Sequence, residues 1–226
     1  MKKLILMFGT MLLFTGSLSA QLGVNLTLAF PQGEFKNNVD RIGFGGSGEI
    51  SFSPIPLAPY AFGLNVSFVN YGNETRRVPL STTIPDLTVD VNRSNNIIGG
   101  QVFLRLLVPT GPFRPYVDIL GGVNYLYTQT TLTERFSGDE KITDTNISDW
   151  AFTYGAGAGM MFLLSAENEL FLDLKVRYLK GTAAEYLSEG DVQIVNGNVV
   201  YNTRKSQTDL VTVHIGIQLG TNLFNR

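Results

Sequence analysis

The sequence predicts an all-β fold: an eight-stranded antiparallel up-and-down transmembrane β-barrel. Three observations carry that expectation. Eight segments alternate apolar with small or polar residues at period 2, their connections alternate between short and long, and the apolar parity is bulky where the other parity is small. Successive side chains of a strand point to opposite faces, so a period of 2 identifies strands and gives each one two faces.

Segment 168–180, NELFLDLKVRYLK, states the rule most plainly. Leu170, Leu172, Leu174, Val176 and Tyr178 share one parity, and Phe171, Asp173, Lys175 and Arg177 the other. A helix would scatter those charges around its circumference; a strand gathers them on one face.

In chain order, segment 22–30 sets Leu22, Val24, Leu26, Leu28 and Phe30 against Gly23, Asn25, Thr27 and Ala29. Segment 42–52 opposes Ile42, Phe44, Ile50 and Phe52 to small residues and Glu49; segment 60–71 opposes Phe62, Leu64, Val66 and Phe68 to Ala61, Gly63, Asn65 and Ser67. Segment 96–107 has Ile98, Val102, Leu104 and Leu106 against Gly99, Gln101, Phe103 and Arg105. Segment 114–128 has Val117, Ile119, Val123, Tyr125 and Tyr127 against Tyr116, Asp118, Gly122 and Asn124. Segment 149–164 sets Trp150, Phe152, Tyr154, Met160 and Phe162 against Thr153, Gly155, Gly157 and Gly159. Segment 209–221 ends the series, with Val211, Val213, Ile215, Ile217 and Leu219 against Thr212, His214, Gly216, Gln218 and Gly220.

Residues 53–59, 108–113 and 165–167 form short, turn-rich connections, and 31–41, 72–95, 129–148 and 181–208 form the longer ones. The prolines lie in connections or at a strand start, as full pairing demands, because proline donates nothing to a ladder.

The choice of buried face follows from volume and polarity. With the bulky parity inward, eight faces of Phe, Leu, Ile and Tyr would overfill an eight-stranded lumen. The outer wall would then be Gly, Ser, Thr, Asn and Ala with few charges, a poor aqueous surface. With the faces reversed, small residues fit the interior and bulky ones meet lipid. In lipid every backbone group needs a partner, so the sheet closes on itself. Phe30, Phe68, Tyr125, Tyr127, Trp150, Phe152 and Tyr178 lie at the long-loop ends, and Phe52, Tyr60, Phe62 and Phe162 at the short-turn ends. These two groups are expected to form aromatic girdles at the two membrane–water interfaces.

The N-terminus fits an exported protein. Lys2 and Lys3 precede an apolar run and the small residue Ala20, the layout of a signal peptide over residues 1–20, with the barrel expected over 21–226. The run is shorter than a membrane-spanning helix. The absence of cysteine excludes disulfides and thiolate-metal sites, and a net charge of −2 argues against nucleic acid as a partner.

The inward parity collects Glu49, Arg105, Asp118, Asp173, Lys175, Arg177 and His214. Leaving the histidine aside, acids and bases balance, and charges in a narrow lumen must pair because each unpaired one costs several kcal/mol. Two readings stand: a structural plug of salt bridges, or a gate for protons or ions. A lone histidine builds no metal site. A Ser-His relay needs a serine beside it, and the strand neighbours of His214 are Val213 and Ile215. The chain is accordingly expected to be no enzyme and to carry no cofactor. Gly43, Gly45 and Gly48 match a dinucleotide fingerprint, which counts only between a strand and a helix; here the glycines are expected to clear the lumen or let a strand bend. Residues 192–195 and 199–201 flank Asn196-Gly197 and read as a hairpin in the longest loop, projecting above the membrane.

The strand pattern, the loop alternation and the ending VTVHIGIQLGTNLF together resemble the small eight-stranded outer-membrane barrels of the outer-membrane protein A and protein X type, including porin-family barrel domains. The resemblance spans residues 21–226, although Phe224 is followed by Asn225 and Arg226 where such barrels usually end on an aromatic residue. It implies an outer membrane of the Gram-negative type, both termini periplasmic, and the barrel-insertion machinery and outer-membrane lipid as partners. The peptidoglycan-binding domain of longer relatives is not expected. The task expected is envelope integrity or surface interaction through the long loops, with an extracellular or envelope protein as the possible partner. The alternatives are passage of a small solute or ion, or service as an accessory barrel in protein export.

Overall fold

The structure is a computed structural model that describes residues 19–55, 57–79, 88–134, 141–188, 191–195 and 198–222. The expected signal peptide thus lies outside the described residues except for Ser19 and Ala20, which open the first strand. The elements are β1 (Ser19–Pro31), α1 (Gly33–Asn38), β2 (Gly43–Ser53), β3 (Tyr60–Pro79), β4 (Thr88–Leu107), β5 (Phe113–Glu134), β6 (Lys141–Ser165) and β7 (Leu170–Gly181). They continue with β8 (Ala183–Tyr186), β9 (Val192–Val195), β10 (Asn198–Tyr201), β11 (Arg204–Gln207) and β12 (Leu210–Asn222). Strands β1 to β7 and β12 pair antiparallel in the order β1-β12-β7-β6-β5-β4-β3-β2 and close between β1 and β2.

Closure follows from the side chains. The bulky parity faces outward on every barrel strand: Val24 is 68% exposed and Phe152 70%, while the intervening parity is buried, with Ala151 at 0% and Asp173 at 0%. Apolar atoms on the outside and polar ones within is the inverse of a soluble barrel, and only a lipid surround makes it stable.

Two expectations about the connections need correction. Residues 72–95 and 129–148 were expected as long loops, but they are largely strand: β3, β4, β5 and β6 run 20, 20, 22 and 25 residues. A tilted strand crosses the hydrocarbon in about 9–11 residues, so these four extend well past it. Beyond the lipid both faces meet water and period 2 is no longer demanded. The threonine-rich Gln129–Thr133 run keeps its strand by pairing and β-propensity alone.

The second correction concerns 31–41 and 181–208. The first holds helix α1, entered through Gly33 in the left-handed region (φ +56°), and the helix buries Phe35 completely. The second is nested: β8 pairs with β11, and inside them β9 pairs with β10 with Val195 opposite Asn198. The expected hairpin is therefore present, with its Asn196-Gly197 turn outside the described residues. At the base of this nested pair β8 packs against β5 and β6, and α1 against β11. Glu185 N–H donates to Asp149 Oδ2 (2.8 Å) and Gln207 N–H to Glu34 Oε2 (3.2 Å), tying both segments down.

The lumen is layered. At the loop end, Ala29, Val69, Ile97, Leu126 and Leu210 from the barrel wall meet Phe35 of α1 and Ala184 and Tyr186 of β8 in one apolar cluster. Phe35 stands edge-on to Tyr71 (5.7 Å between centroids) and Tyr186 (5.0 Å). At the turn end, Ala61, Leu107, Tyr116, Met161 and Phe171 form a second cluster. The interior is thus not filled by small and polar residues alone. Apolar side chains of the inward parity close it at both ends, and the charges lie between them.

Candidate functional site

The charged layer is built by register. Arg105 of β4 lies directly opposite Asp118 of β5, Asp118 opposite Gly157 of β6, and Gly157 opposite Arg177 of β7. A Cβ added to Gly157 would come within 2.6 Å of Arg177 Cγ, so the glycine leaves the path over which Arg177 reaches Asp118. Gly23 of β1 does the same between Glu49 and Gln218, its cross-strand partners on β2 and β12.

Six of the sequence-predicted residues come together here. Arg105 grips Asp118 with two parallel bonds, Nε to Oδ1 at 2.8 Å and Nη2 to Oδ2 at 3.0 Å, and also reaches Glu49 Oε1 at 3.1 Å. Arg177 Nη2 donates to Asp118 Oδ2 (2.8 Å) and Glu49 Oε2 (3.2 Å). Lys175 Nζ bridges Glu49 (2.6 Å) and Asp173 (2.9 Å). Gln218 Nε2 contacts Glu49 Oε1 closely and donates to Asp173 Oδ2 (2.9 Å), and Tyr116 O–H donates to Asp173 Oδ1 (2.6 Å). The Arg105 guanidinium also lies over the Tyr116 ring, 3.9 Å from its centroid. Three carboxylates offset three cations within a layer almost sealed from solvent, so each charge keeps its partners at close range.

His214 stands apart from this network. Its Nδ1 is 2.9 Å from Thr27 Oγ1 and 3.3 Å from Ser47 Oγ, and its Nε2 is 2.9 Å from Thr212 Oγ1. The expectation that no serine lies beside it is corrected: β1 sits between β12 and β2, and folding brings Ser47 across from β2. The second ring nitrogen meets a hydroxyl and not a carboxylate, so the relay's third member is missing. Beside it, Asn65, Gln101 and Asn124 form an amide chain (2.8 and 3.1 Å) that Arg177 Nη1 joins at Asn65 Oδ1 (3.2 Å). A cavity of about 20 Å³ bordered by His214, Asn65 and Gln101 has room for about one water.

On the outer wall, Phe68, Trp150, Phe152 and Tyr178 are exposed near the loop end, with Phe30, Tyr125 and Tyr127 part-exposed; Tyr60 and Phe62 are exposed near the turns, with Phe52 and Phe162 part-exposed. Several rings pair: Tyr125 with Trp150 (4.7 Å) and Tyr127 (5.4 Å), Phe52 with Phe62 (6.3 Å), and Phe162 with Phe113 (5.5 Å). Phe44, Phe113 and Tyr154 are equally exposed outward aromatics absent from the expected girdles. Phe44 and Tyr154 carry the outward parity of their strands, and Phe113 sits where a connection was expected. The Gly43, Gly45 and Gly48 pattern lies wholly inside β2, which leads by a turn into β3, so the helix of a dinucleotide site has no place to form.

At the loop end a polar clamp borders the apolar cap. Arg204 of β11 donates to both Asp191 oxygens (2.7 and 2.8 Å), which holds its guanidinium above its ordinary pKa, and to Asn38 Oδ1 (3.2 Å). Asn38 Nδ2 donates to Tyr186 Oη (2.9 Å), which pairs with Ser206 Oγ (2.6 Å). No sequence period marks this clamp, because its members come from α1, β8, β11 and the segment between.

A closed antiparallel barrel with an apolar exterior, a paired ionic interior and a folded cap defines an integral membrane protein of the strand-spanning class. The sequence matches the family described as outer membrane protein beta-barrel domain over residues 4–202, and the chain belongs to that family. No curated protein matches it by sequence. Among solved structures it is similar to the Ail protein of Yersinia pestis in complex with a heparin analogue, at 11% identity and TM-score 0.39 over 91% of this chain and 99% of that one. It is also similar to the N-terminal barrel domain of OprF from Pseudomonas aeruginosa, at 12% identity and TM-score 0.40 over 89% and 97%. A major outer membrane protein from Thermus thermophilus gives 14% identity and TM-score 0.45 over 89% and 99%.

Proposed function

We propose that this outer-membrane barrel is a non-conducting scaffold whose working surface is its loop end, serving surface interaction or envelope integrity. The observation that carries the proposal is the contrast between the two parts of the molecule. The lumen is closed by a paired ionic layer between two apolar clusters, whereas the loop end carries a built superstructure of α1 and β8–β11. Strand faces are committed to lipid or to filling the interior. Loops on a rigid scaffold are where recognition is free to develop.

With an even strand count the start of β1 and the end of β12 lie together at the short-turn end, which this reading places in the periplasm. The aromatic rings at the two ends of the wall serve as the interface girdles. The charge network acts as a structural plug, and the Ser47–His214 pair as part of a hydroxyl cage with no catalytic step. Outer-membrane lipid surrounds the wall, the insertion machinery acts during biogenesis, and an envelope or extracellular protein is the partner class for the loops.

Planar-bilayer recording with the unmutated protein tests the closed lumen: the expected result is no steady conductance, and large stable channels would favour solute passage. Replacing residues 189–205 with a short Gly-Ser linker tests the loop end. The barrel should still fold, since loop length enters closure entropy only logarithmically, while surface binding is lost. A partner retained after that change but lost on substitution of Pro109 or Pro112 would place the interaction at the turns and overturn the reading.

A further inference from the structure

We propose that the outer wall of the barrel carries a docking groove for one acyl chain of a membrane phospholipid. The groove runs along β2 over Gly46 and Gly48 and has a volume of about 840 Å³. Gly46 pairs with Leu26 of β1 and Phe68 of β3, and Gly48 with Val24 and Val66. Those four exposed side chains form the two flanks, and the glycines between them leave the floor as bare backbone.

The exposure along β1 records the gap directly. Leu26, beside Gly46, is 64% exposed. On the same strand Leu28, beside Phe44, is 37% exposed, and Leu22, beside Ile50, is 48% exposed. The flank of Leu26 that a β2 side chain would have covered is open.

The packing of the barrel itself does not require these two glycines. A Cβ on Gly46 would meet nothing nearer than Asn25 O at 3.4 Å, and one on Gly48 nothing nearer than Gly23 O at 3.9 Å. The inward Gly45 is the opposite case, since a Cβ there would run into the backbone of Phe68. What Gly46 and Gly48 create is space outside the sheet, on the apolar wall that an outer-membrane barrel turns to lipid.

The dimensions select the occupant. Neighbouring strands lie about 4.8 Å apart, so the β1 and β3 rows flank the groove at a spacing of about 9.6 Å. A hydrocarbon chain touching both flanks needs about 7–8 Å between wall carbons, two van der Waals contact distances. A helix, about 10–12 Å across, is too wide. A strand of a second barrel arrives with neighbours on both sides, and the proud flanks would hold that sheet off the floor. Along β2 the groove is stopped by Phe44 and Ile50, whose Cα atoms are six residues or roughly 20 Å apart. One leaflet of the hydrocarbon core is about 15 Å deep, so a single chain spans the opening. Burial from water gives no preference between sites within a bilayer, and association there follows packing contacts. A chain on the flat wall is touched from one side, whereas a chain in the groove is touched from three.

The groove lies on the wall and is tested apart from the loop end. The full chain is folded in detergent micelles and titrated with phosphatidylcholine carrying brominated chains, which quench tryptophan on contact. Trp150, the single tryptophan, lies on β6, four strands from β2 in either direction, and reports the wall away from the groove. Phe68→Trp combined with Trp150→Phe moves the reporter to the groove flank. The expected result is quenching of the moved reporter that levels off at one lipid per barrel, with Trp150 of the unmutated protein quenched only in proportion to the lipid added. Unbrominated phosphatidylcholine should reverse the plateau. Brominated phosphatidylglycerol should reproduce it, because the chain and not the headgroup is held. Gly46→Val with Gly48→Val in the reporter variant should abolish the plateau while the gel shift between boiled and unboiled samples stays unchanged. If that pair fails to fold, the reversal and the headgroup comparison in the unfilled barrel decide. Equal proportional quenching at both positions, a plateau that survives the valine pair, or a plateau confined to one headgroup would overturn the groove. A moved reporter shielded from quencher in a barrel that sediments as a dimer would assign the groove to a second copy and overturn it equally.

Discussion

Glu49→Gln is the sharpest perturbation of the lumen, because it removes one charge without opening a cavity. Glu49 takes hydrogen bonds from Arg105, Lys175, Arg177 and Gln218. Arg105 would keep its two hydrogen bonds to Asp118, Lys175 its contact with Asp173, and Arg177 its single hydrogen bond to Asp118. Two acids would then face three cations in a solvent-excluded layer. Breaking a buried pair from one side costs about 3–5 kcal/mol, mainly for the charge left behind. The expected loss of folding stability in reversible urea unfolding from lipid vesicles is therefore about 3–5 kcal/mol. The double variant Glu49→Gln/Lys175→Met restores neutrality and should recover at least half of that loss, a coupling that a mutant cycle isolates. A cost below about 1 kcal/mol, the range of exposed pairs, would mean that the layer is wet and the plug is no plug.

Further variants test the wall and the cap. Ile215 is outward and exposed in mid-strand of β12, paired with Leu26 and Leu174. Ile215→Arg and Leu174→Arg should each cost roughly 2–4 kcal/mol in the same vesicle assay if the band sits at the midplane, and silence at both would remove that band from the hydrocarbon. Phe35→Ala empties the centre of the apolar cap, where aromatic truncation costs about 3–5 kcal/mol. Because Phe35 belongs to a connection, the loss should appear as faster amide exchange in α1 and β8–β11, with exchange in mid-barrel amides unchanged. Uniform acceleration through the barrel would instead make the cap part of the barrel's own cooperative unit.

The wall of this molecule was legible in its sequence because lipid imposes a rule on every strand at once. Leu170, Leu172, Leu174 and Val176 could share a face only in a strand, and only one choice of inside was compatible with the glycines opposite. The rule lapses where lipid ends. The outer halves of β3 to β6 looked like loops because neither face of TQTTLTE or its partners has to be apolar. Helix α1 has six residues and one buried side chain, too little for any period to register. The charge layer was readable as composition, three acids and three bases on one parity, but its partners were not. Glu49 and Lys175 are 126 residues apart, and only the cross-strand register brings them within reach. The same gap hid Ser47 from His214, which lie 167 positions apart.

The order of charges along β7 has a consequence for how the barrel finds its alignment. Apolar alternation distinguishes one face from the other, and a slip of one residue turns the strand inside out. A slip of two residues is invisible to it, since greasy positions replace greasy positions. Asp173, Lys175 and Arg177 read minus, plus, plus along that same step of two. Moving β7 by one such step either brings Asp173 to the level of Lys175, against Glu49, or carries Lys175 to the level of Asp173 and Arg177 away from Asp118, so charges in a sealed space meet a like charge or lose their partners. Hydrophobicity thus acts as the coarse scale of the fold and buried charge as its vernier, rejecting the near-misses that lipid alone would accept.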